Sequence, residues 1–322
     1  MLTGKIKCKD GELTLSRIIL GAGRFGSATP LDLSYEMLDK YYEAGGRTLD
    51  TGRAYMAWVH NGASKSEKTV GDWIRDRGVK DMSIVTKCAH PELRDMNKSR
   101  LSPDCLSYDI NTSLAVLRVD SVDCLLLHRD DTAVPVGEIM DTLDQFINEG
   151  LVRSIGASNW SIARICEANE YAKKHGKTPF TISQIQWNMA ENQQENLLDP
   201  TCLCMTDKEY EGYLKANISV MAYSSQAVGF FSKFLSGNVE SMRPRTKVYV
   251  TPENIRRAKR VEQICAQLSC TPEALCIAYI TSNPVDGYAV IANSSMKQME
   301  ESLAAADFTI DQETMDSITK FN

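Results

Sequence analysis

Short apolar runs alternate along this chain with stretches whose apolar positions recur every three or four residues. The runs Ser16 to Gly21, Thr48 to Asp50, Met82 to Lys87 and Val122 to His128 predict strands. So do Val152 to Ala157, Thr181 to Gln186, Ser219 to Tyr223 and Gly287 to Ile291. Many of these runs are apolar at consecutive positions, as expected of strands covered on both faces. Between them, helical spacing covers Ser34 to Ala44, Ser66 to Arg77, Pro103 to about Leu117, Val136 to Asn148, Ser161 to Lys174 and Asp207 to Ala216. Gly45-Gly46, Gly78, Gly150 and Gly176 close helices. Ser102-Pro103, Thr251-Pro252-Glu253 and Thr271-Pro272-Glu273 open them with a capping hydroxyl and a first-turn proline. A longer loop runs from Ser225 to about Val250, and helices over Lys297 to Ala305 and Gln312 to Thr319 finish the chain.

Eight strands alternating with helices predict an α/β fold, a closed (β/α)8 TIM barrel forming a single domain over residues 1–322. A doubly wound sheet is the rival. Gly21-Ala22-Gly23-Arg24-Phe25-Gly26 fits the glycine pattern of its first turn. That rival needs a helix opening on the third glycine, but Ser27-Ala28-Thr29-Pro30 intervenes.

Length and composition fit the barrel and narrow the partners. The chain has 322 residues, 43% hydrophobic and 24% charged, and a net charge of −6. An acidic surface argues against nucleic acid as a partner. No stretch approaches the roughly 20 apolar residues of a membrane span, and the first ten residues do not read as a secretory signal. A cytoplasmic location is expected, with no membrane partner. The ten cysteines are mostly scattered singly in apolar runs, as reduced thiols used as small hydrophobes would be. Cys202 and Cys204 lack a second pair at zinc-finger spacing, and no metal is expected.

Asp50, Tyr55, Lys87 and His128 sit at or just past the ends of successive predicted strands, which ring one mouth of a parallel barrel. A phenol is a poor acid, with an ordinary pKa near ~10. A neighbouring ammonium stabilises the phenolate, so Lys87 is expected to lower the pKa of Tyr55, with Asp50 holding Lys87 charged and fixed. Tyr55 can then give a proton to a carbonyl oxygen as a hydride reaches its carbon, with His128 orienting that oxygen. Singly, each residue has an ordinary reading: an N-cap aspartate, a solvated lysine, a loop histidine paired with acid, a half-buried tyrosine. The order of all four on neighbouring strands favours chemistry.

This set resembles the catalytic tetrad of the aldo-keto reductases. The resemblance includes Thr48-Leu49-Asp50-Thr51, Val85-Thr86-Lys87, Leu126-Leu127-His128, Ile155-Gly156-Ala157-Ser158-Asn159, Gln184-Ile185-Gln186-Trp187-Asn188 and Ala222-Tyr223-Ser224, and runs from about Leu20 to about Leu303. It implies Tyr55 as general acid and NADP as cofactor, with NAD left open. By the same resemblance Ser158, Asn159 and Gln184 would hold the nicotinamide carboxamide and Tyr223 would stack on its ring. Ser224, Gln226 and Gly229 would contact the pyrophosphate. Ser295, Lys297, Gln298 and Glu301 would hold the adenosine end, and Gly23, Arg24 and Asp50 complete the expected cofactor set. Phe25, Trp58 and Trp187 are candidates to line the substrate pocket, with core or rim packing as the rival. Arg243 and Arg245 are expected to be solvated.

The chain also departs from the family pattern. Met56 to Lys65 is longer than the usual turn after the tyrosine. Ile291-Ala292-Asn293 stands at the last strand end, Gln298 where an arginine is common in NADP-dependent members, and Ser302 where an asparagine is common. Only Lys320, Phe321 and Asn322 follow the last predicted helix, so no long terminal lid is expected. The pocket should then suit a smaller or more polar carbonyl, such as a sugar or polyol. The expected activity is NAD(P)H-dependent reduction of an aldehyde or ketone. The alternatives are a non-catalytic nicotinamide-binding regulatory subunit, a barrel lyase using Lys87 as a Schiff-base amine, and a metal-dependent barrel. The oligomeric state is left open.

Overall fold

The computed structural model describes residues 1–60 and 62–319. It begins with an antiparallel hairpin of β1 (Thr3–Cys8) and β2 (Gly11–Ser16), paired from Thr3 with Ser16 to Cys8 with Gly11. The side chains alternate, and Ile6, Leu13 and Leu15 point inward. This hairpin was not among the expected elements.

The barrel strands follow. β3 (Ile18–Gly21), α1 (Leu31–Glu43), β4 (Thr48–Asp50), α2 (Lys65–Arg77), β5 (Ser83–Cys88), α3 (Pro103–Leu117), β6 (Val122–Leu127) and α4 (Val136–Asn148) make the first half. β7 (Val152–Ser158), α5 (Ile162–His175), β8 (Ile182–Gln186), α6 (Asp207–Ala216) and β9 (Ser219–Tyr223) continue it. The long connection then carries α7 (Phe230–Leu235) and α8 (Pro244–Lys247), followed by α9 (Pro252–Leu268), α10 (Pro272–Thr281), β10 (Gly287–Ile291), α11 (Met296–Leu303) and α12 (Gln312–Thr319). The eight strands β3 to β10 pair in parallel and close, β10 bonding to both β3 and β9. The doubly wound rival is thereby excluded.

Local chemistry explains the boundaries. Ser102, Ser161, Thr251 and Thr271 each cap a helix with a hydroxyl accepting from a backbone N–H. α2 differs from expectation: it starts at Lys65, and Ser66 does not cap it. The Ser66 hydroxyl instead donates to the Ala22 carbonyl and meets Thr51 Oγ1 at 2.7 Å, tying α2 to the catalytic loop. The expected open loop after Ser225 also contains α7, because Phe230 and Phe231 bury their rings beside Tyr249.

Two apolar layers result. An outer core fills the space between strands and helices, with Leu49, Trp73, Leu125, Ile185 and Ile277 among its members. A smaller inner core joins Ile19, Val85, Leu126, Ile182 and Tyr288 to the hairpin's Ile6, Leu13 and Leu15. The hairpin therefore plugs the N-terminal end of the barrel, leaving the other end for chemistry. Lys320, Phe321 and Asn322, on which the lid expectation rests, lie outside the described residues. No single helix among the described residues is long and apolar enough to cross a membrane.

Candidate active site

Strand register brings the four chemical side chains together. Asp50 is the last residue of β4 and pairs with Val85; Lys87 lies on β5 opposite Leu126; His128 follows β6 directly. Tyr55 is carried on the turn after β4. Asp50 is 3% exposed and Lys87 1%. Lys87 Nζ donates to Asp50 Oδ1 at 2.5 Å and to the Thr51 carbonyl at 2.9 Å. The Tyr55 hydroxyl donates to Asp50 Oδ2 at 3.3 Å, and Lys87 Nζ stands 4.7 Å from the centre of its ring. His128 meets Tyr55 edge to face, ring centres 5.5 Å apart, and its buried Nδ1 has no hydrogen-bond partner among the described residues. Glycine makes room for the phenol: a Cβ at Gly23 or at Gly52 would lie 3.3 Å from its ring.

Electrostatics correct one expectation. Burial, with the Asp50 carboxylate beside it, pushes the Tyr55 phenol well above its ordinary value rather than below it. Lys87 is itself lowered by burial, against the opposing pull of Asp50. Its charge is thus directed mainly to Asp50, and the phenol keeps its proton. Burial also holds His128 well below the ordinary histidine range, with Arg129, His90 and Lys87 acting in the same direction, so its ring is neutral. The Lys87 amine, enclosed and engaged by two acceptors, does not offer the open nucleophile that a Schiff-base lyase needs.

A second set of polar groups adjoins the first. Gln184 Nε2 donates to Asp50 Oδ1 at 2.9 Å. Asn159 Nδ2 donates to Ser158 Oγ at 3.0 Å and to the His128 carbonyl at 3.3 Å, while Asn159 Oδ1 accepts from the Tyr223 hydroxyl at 2.9 Å. Ser158, Asn159, Gln184 and Tyr223 therefore form one network with Asp50 and His128, suited to a planar amide and its ring.

The loop beyond Tyr223 turns tightly. Ser224, Ala227, Val228 and Gly229 all have positive φ, between 48° and 73°. The Ala227 and Gly229 N–H groups donate to the Ser224 and Gln226 carbonyls, each at 2.8 Å, closing successive tight turns. Arg245 is exposed, as expected, and its Nη2 reaches Ser224 Oγ at 3.3 Å. Gln226 Nε2 donates to Ser302 Oγ at 3.1 Å, joining the loop to α11. There Ser295 caps the helix, Gln298 Oε1 accepts from the Ser294 N–H at 2.8 Å, and Lys297 lies 3.8 Å from Glu301. The buried Asn293 Oδ1 has no partner among the described residues, an acceptor left for a ligand donor. Hydrogen bonds thus join the loop after β9 to α11. Arg24 lies on the turn that carries Gly23, its carbonyl accepting from Ser27 and Thr29.

Two of the proposed pocket residues stand elsewhere. Phe25 and Trp187 are each 2% exposed and belong to the outer core; Trp187 meets Tyr210 of α6 and Tyr279 of α10. Both rings pack in the apolar layer between strands and helices. Trp58 is 61% exposed on the loop after Tyr55. Two residues at the site went unrecognised in the sequence. Arg129, directly after His128, is buried and donates to Thr201, Asp199 and the His128 carbonyl. His90 sets its ring 4.9 Å from His128. The only signal for either was its place just past a strand end.

The sequence model of the Aldo/keto reductase family matches residues 17–322. The chain belongs to the aldo/keto reductase family. It is 22% identical to the putative aryl-alcohol dehydrogenase AAD14 of Saccharomyces cerevisiae, over 99% of this chain and 87% of that protein. It is 32% identical to the aldo-keto reductase ausK of Emericella nidulans, over 61% of this chain and 52% of that one. With the aryl-alcohol dehydrogenase [NADP(+)] of Phanerodontia chrysosporium it shares 28% identity over 53% of this chain and 46% of the relative. The chain thus spans most of the first relative and about half of the other two. An aldo/keto reductase is an oxidoreductase that works with a nicotinamide cofactor.

Proposed function

We propose that this aldo/keto reductase reduces an aldehyde or ketone to an alcohol with NADPH, Tyr55 acting as general acid. One observation carries the reading: the Tyr55 hydroxyl and the Lys87 amine share the Asp50 carboxylate at the barrel mouth. What the bound dinucleotide supplies is a hydride for the carbonyl carbon. The protein's side chains do the rest. The neutral His128 ring orients the carbonyl oxygen. Tyr55, kept protonated by its raised pKa, holds the proton until negative charge develops on that oxygen, then releases it there, so hydride and proton together make the alcohol. Lys87 lies close enough to the ring to stabilise the phenolate left behind.

Ser158, Asn159 and Gln184 hold the carboxamide, Tyr223 the ring face, and Ser224, Gln226, Gly229 and Arg245 the pyrophosphate. Ser295, Lys297, Gln298 and Glu301 take the adenosine end. The preference for NADP rests on the family and on the printed name of the relative from Phanerodontia chrysosporium. The substrate is a polar carbonyl, and the names of the relatives add aryl aldehydes to the candidates. The test is cofactor oxidation, with NADPH and with NADH, across aryl aldehydes, ketosugars and ketosteroids. Turnover of at least one carbonyl class, faster with NADPH, is expected. Tight cofactor binding with no turnover on any carbonyl would point to a regulatory subunit instead.

A further inference from the structure

A cavity of about 520 Å³ is walled by residues on both sides of Tyr55, the segment after β5 and α3, and reaches the immediate neighbours of the tetrad rather than the tetrad itself. Ala54, the neighbour of Tyr55, lines it, and so does His90, whose ring touches that of His128. Its distinguishing feature is charge. Arg53, Arg94 and Arg100 all line it. Facing them are Glu92, 3.6 Å from Arg100 and 3.5 Å from Lys98, and the buried Asp109. Burial lowers the His90 pKa, leaving that ring neutral. The cavity lining thus carries three guanidiniums and one carboxylate, Glu92, with the buried Asp109 behind them, in a chain whose net charge is −6.

Asp109 anchors these arginines without using them up. It pairs with Arg100 and, at 3.2 Å, with Arg53 Nη1, and it also accepts from the Ala89 N–H at 3.0 Å. Each guanidinium carries five N–H donors. The buried Nε atoms of Arg53 and Arg100 have no hydrogen-bond partner among the described residues, and the exposed Arg94 side chain has none among them either. Two guanidiniums are therefore held in place, and a third stands free at the rim. The exposed ring of Tyr108 gives the cavity an apolar edge. A neutral polyol can hydrogen-bond to such groups but does not balance the charge; a carboxylate or phosphate does both.

We infer that the carbonyl substrate carries an anionic group, seated among Arg53, Arg94 and Arg100 while its carbonyl lies against Tyr55 and His128. The inference rests on the reductase reading and adds the substrate class to it. The test compares 4-formylbenzoate with 4-formylbenzamide, near-isosteric and differing in charge, and glyceraldehyde 3-phosphate with glyceraldehyde. The first pair reports a carboxylate and the second a phosphate. The charged member of at least one pair should have a kcat/KM about tenfold or more higher. Arg94→Glu should collapse that ratio, mainly by raising KM for the charged member. Arg94 is exposed and makes no ion pair among the described residues, so the variant should fold; circular dichroism checks this. Arg53→Gln should act in the same direction.

Ratios near one in both pairs, or a folded Arg94→Glu enzyme that keeps the wild-type ratio, overturn the inference while leaving the reductase reading intact. Calorimetric titration with 4-(hydroxymethyl)benzoate reads the pocket without turnover. Binding by the wild type that Arg94→Glu abolishes supports the pocket even if no carbonyl is reduced, an outcome that sinks the reductase reading alone. Equal binding by both proteins, or none by either, counts against the pocket.

Discussion

Asp50 divides its two oxygens between opposite tasks. Oδ1 accepts from the Lys87 amine and the Gln184 amide, and Oδ2 accepts a hydrogen bond from the Tyr55 hydroxyl. The identity and order of these residues were legible in the sequence, because each stands at a strand end and parallel strands bring such ends together. The direction of the Tyr55 shift was not. It depends on how completely the phenol is buried and on which carboxylate oxygen faces it, and neither follows from spacing. His128 gives a prediction at this scale. Its folded pKa lies below that of the unfolded chain, near ~6.5. The unfolded state therefore takes up the proton first, and the stability that the neutral ring allows is full above that pH and lost as pH falls below it. Urea unfolding between pH 7 and pH 5 should show stability declining, with a shallower decline in His128→Gln. A slope unchanged by the substitution would place the titration elsewhere, with His90, also lowered by burial, as the next suspect.

At the level of elements, the strands and long helices were readable because apolar runs, capping hydroxyls and first-turn prolines all agreed. The two departures have physical causes. The hairpin of β1 and β2 is short, and its alternation of buried and exposed positions is interrupted by polar residues at both ends. The connection after β9 hides α7 because its helix signal is only six residues long and its rings bury against a neighbouring aromatic rather than a strand. In that connection Arg245 is exposed, as its sequence reading expects, and it meets the Ser224 hydroxyl at the start of the left-handed turn from Ser224 to Gly229. Arg245→Ala should weaken cofactor binding about tenfold, as expected for one charge-assisted contact to phosphate. The loss should shrink at high salt, since an exposed charge is screened. Fluorescence titration with NADPH at two ionic strengths measures both. Unaltered affinity would remove Arg245 from the cofactor track.

In the whole molecule, structure and chemistry occupy opposite ends of one barrel. The hairpin and inner core close the N-terminal end; the tetrad, the amide network and the loop after β9 gather at the other. The three arginines line a cavity that also includes His90, the neighbour of His128. On the proposed reading, a protonated phenol delivers the proton and the remaining groups position the substrate. Turnover by Tyr55→Phe, measured beside its affinity for NADPH, tests that claim most directly. We predict a loss of about 10²- to 10⁴-fold in kcat, the usual worth of a positioned general acid, with cofactor affinity within about twofold of wild type. A variant that binds NADPH normally and reduces the same carbonyl within about threefold of the wild-type rate would contradict it.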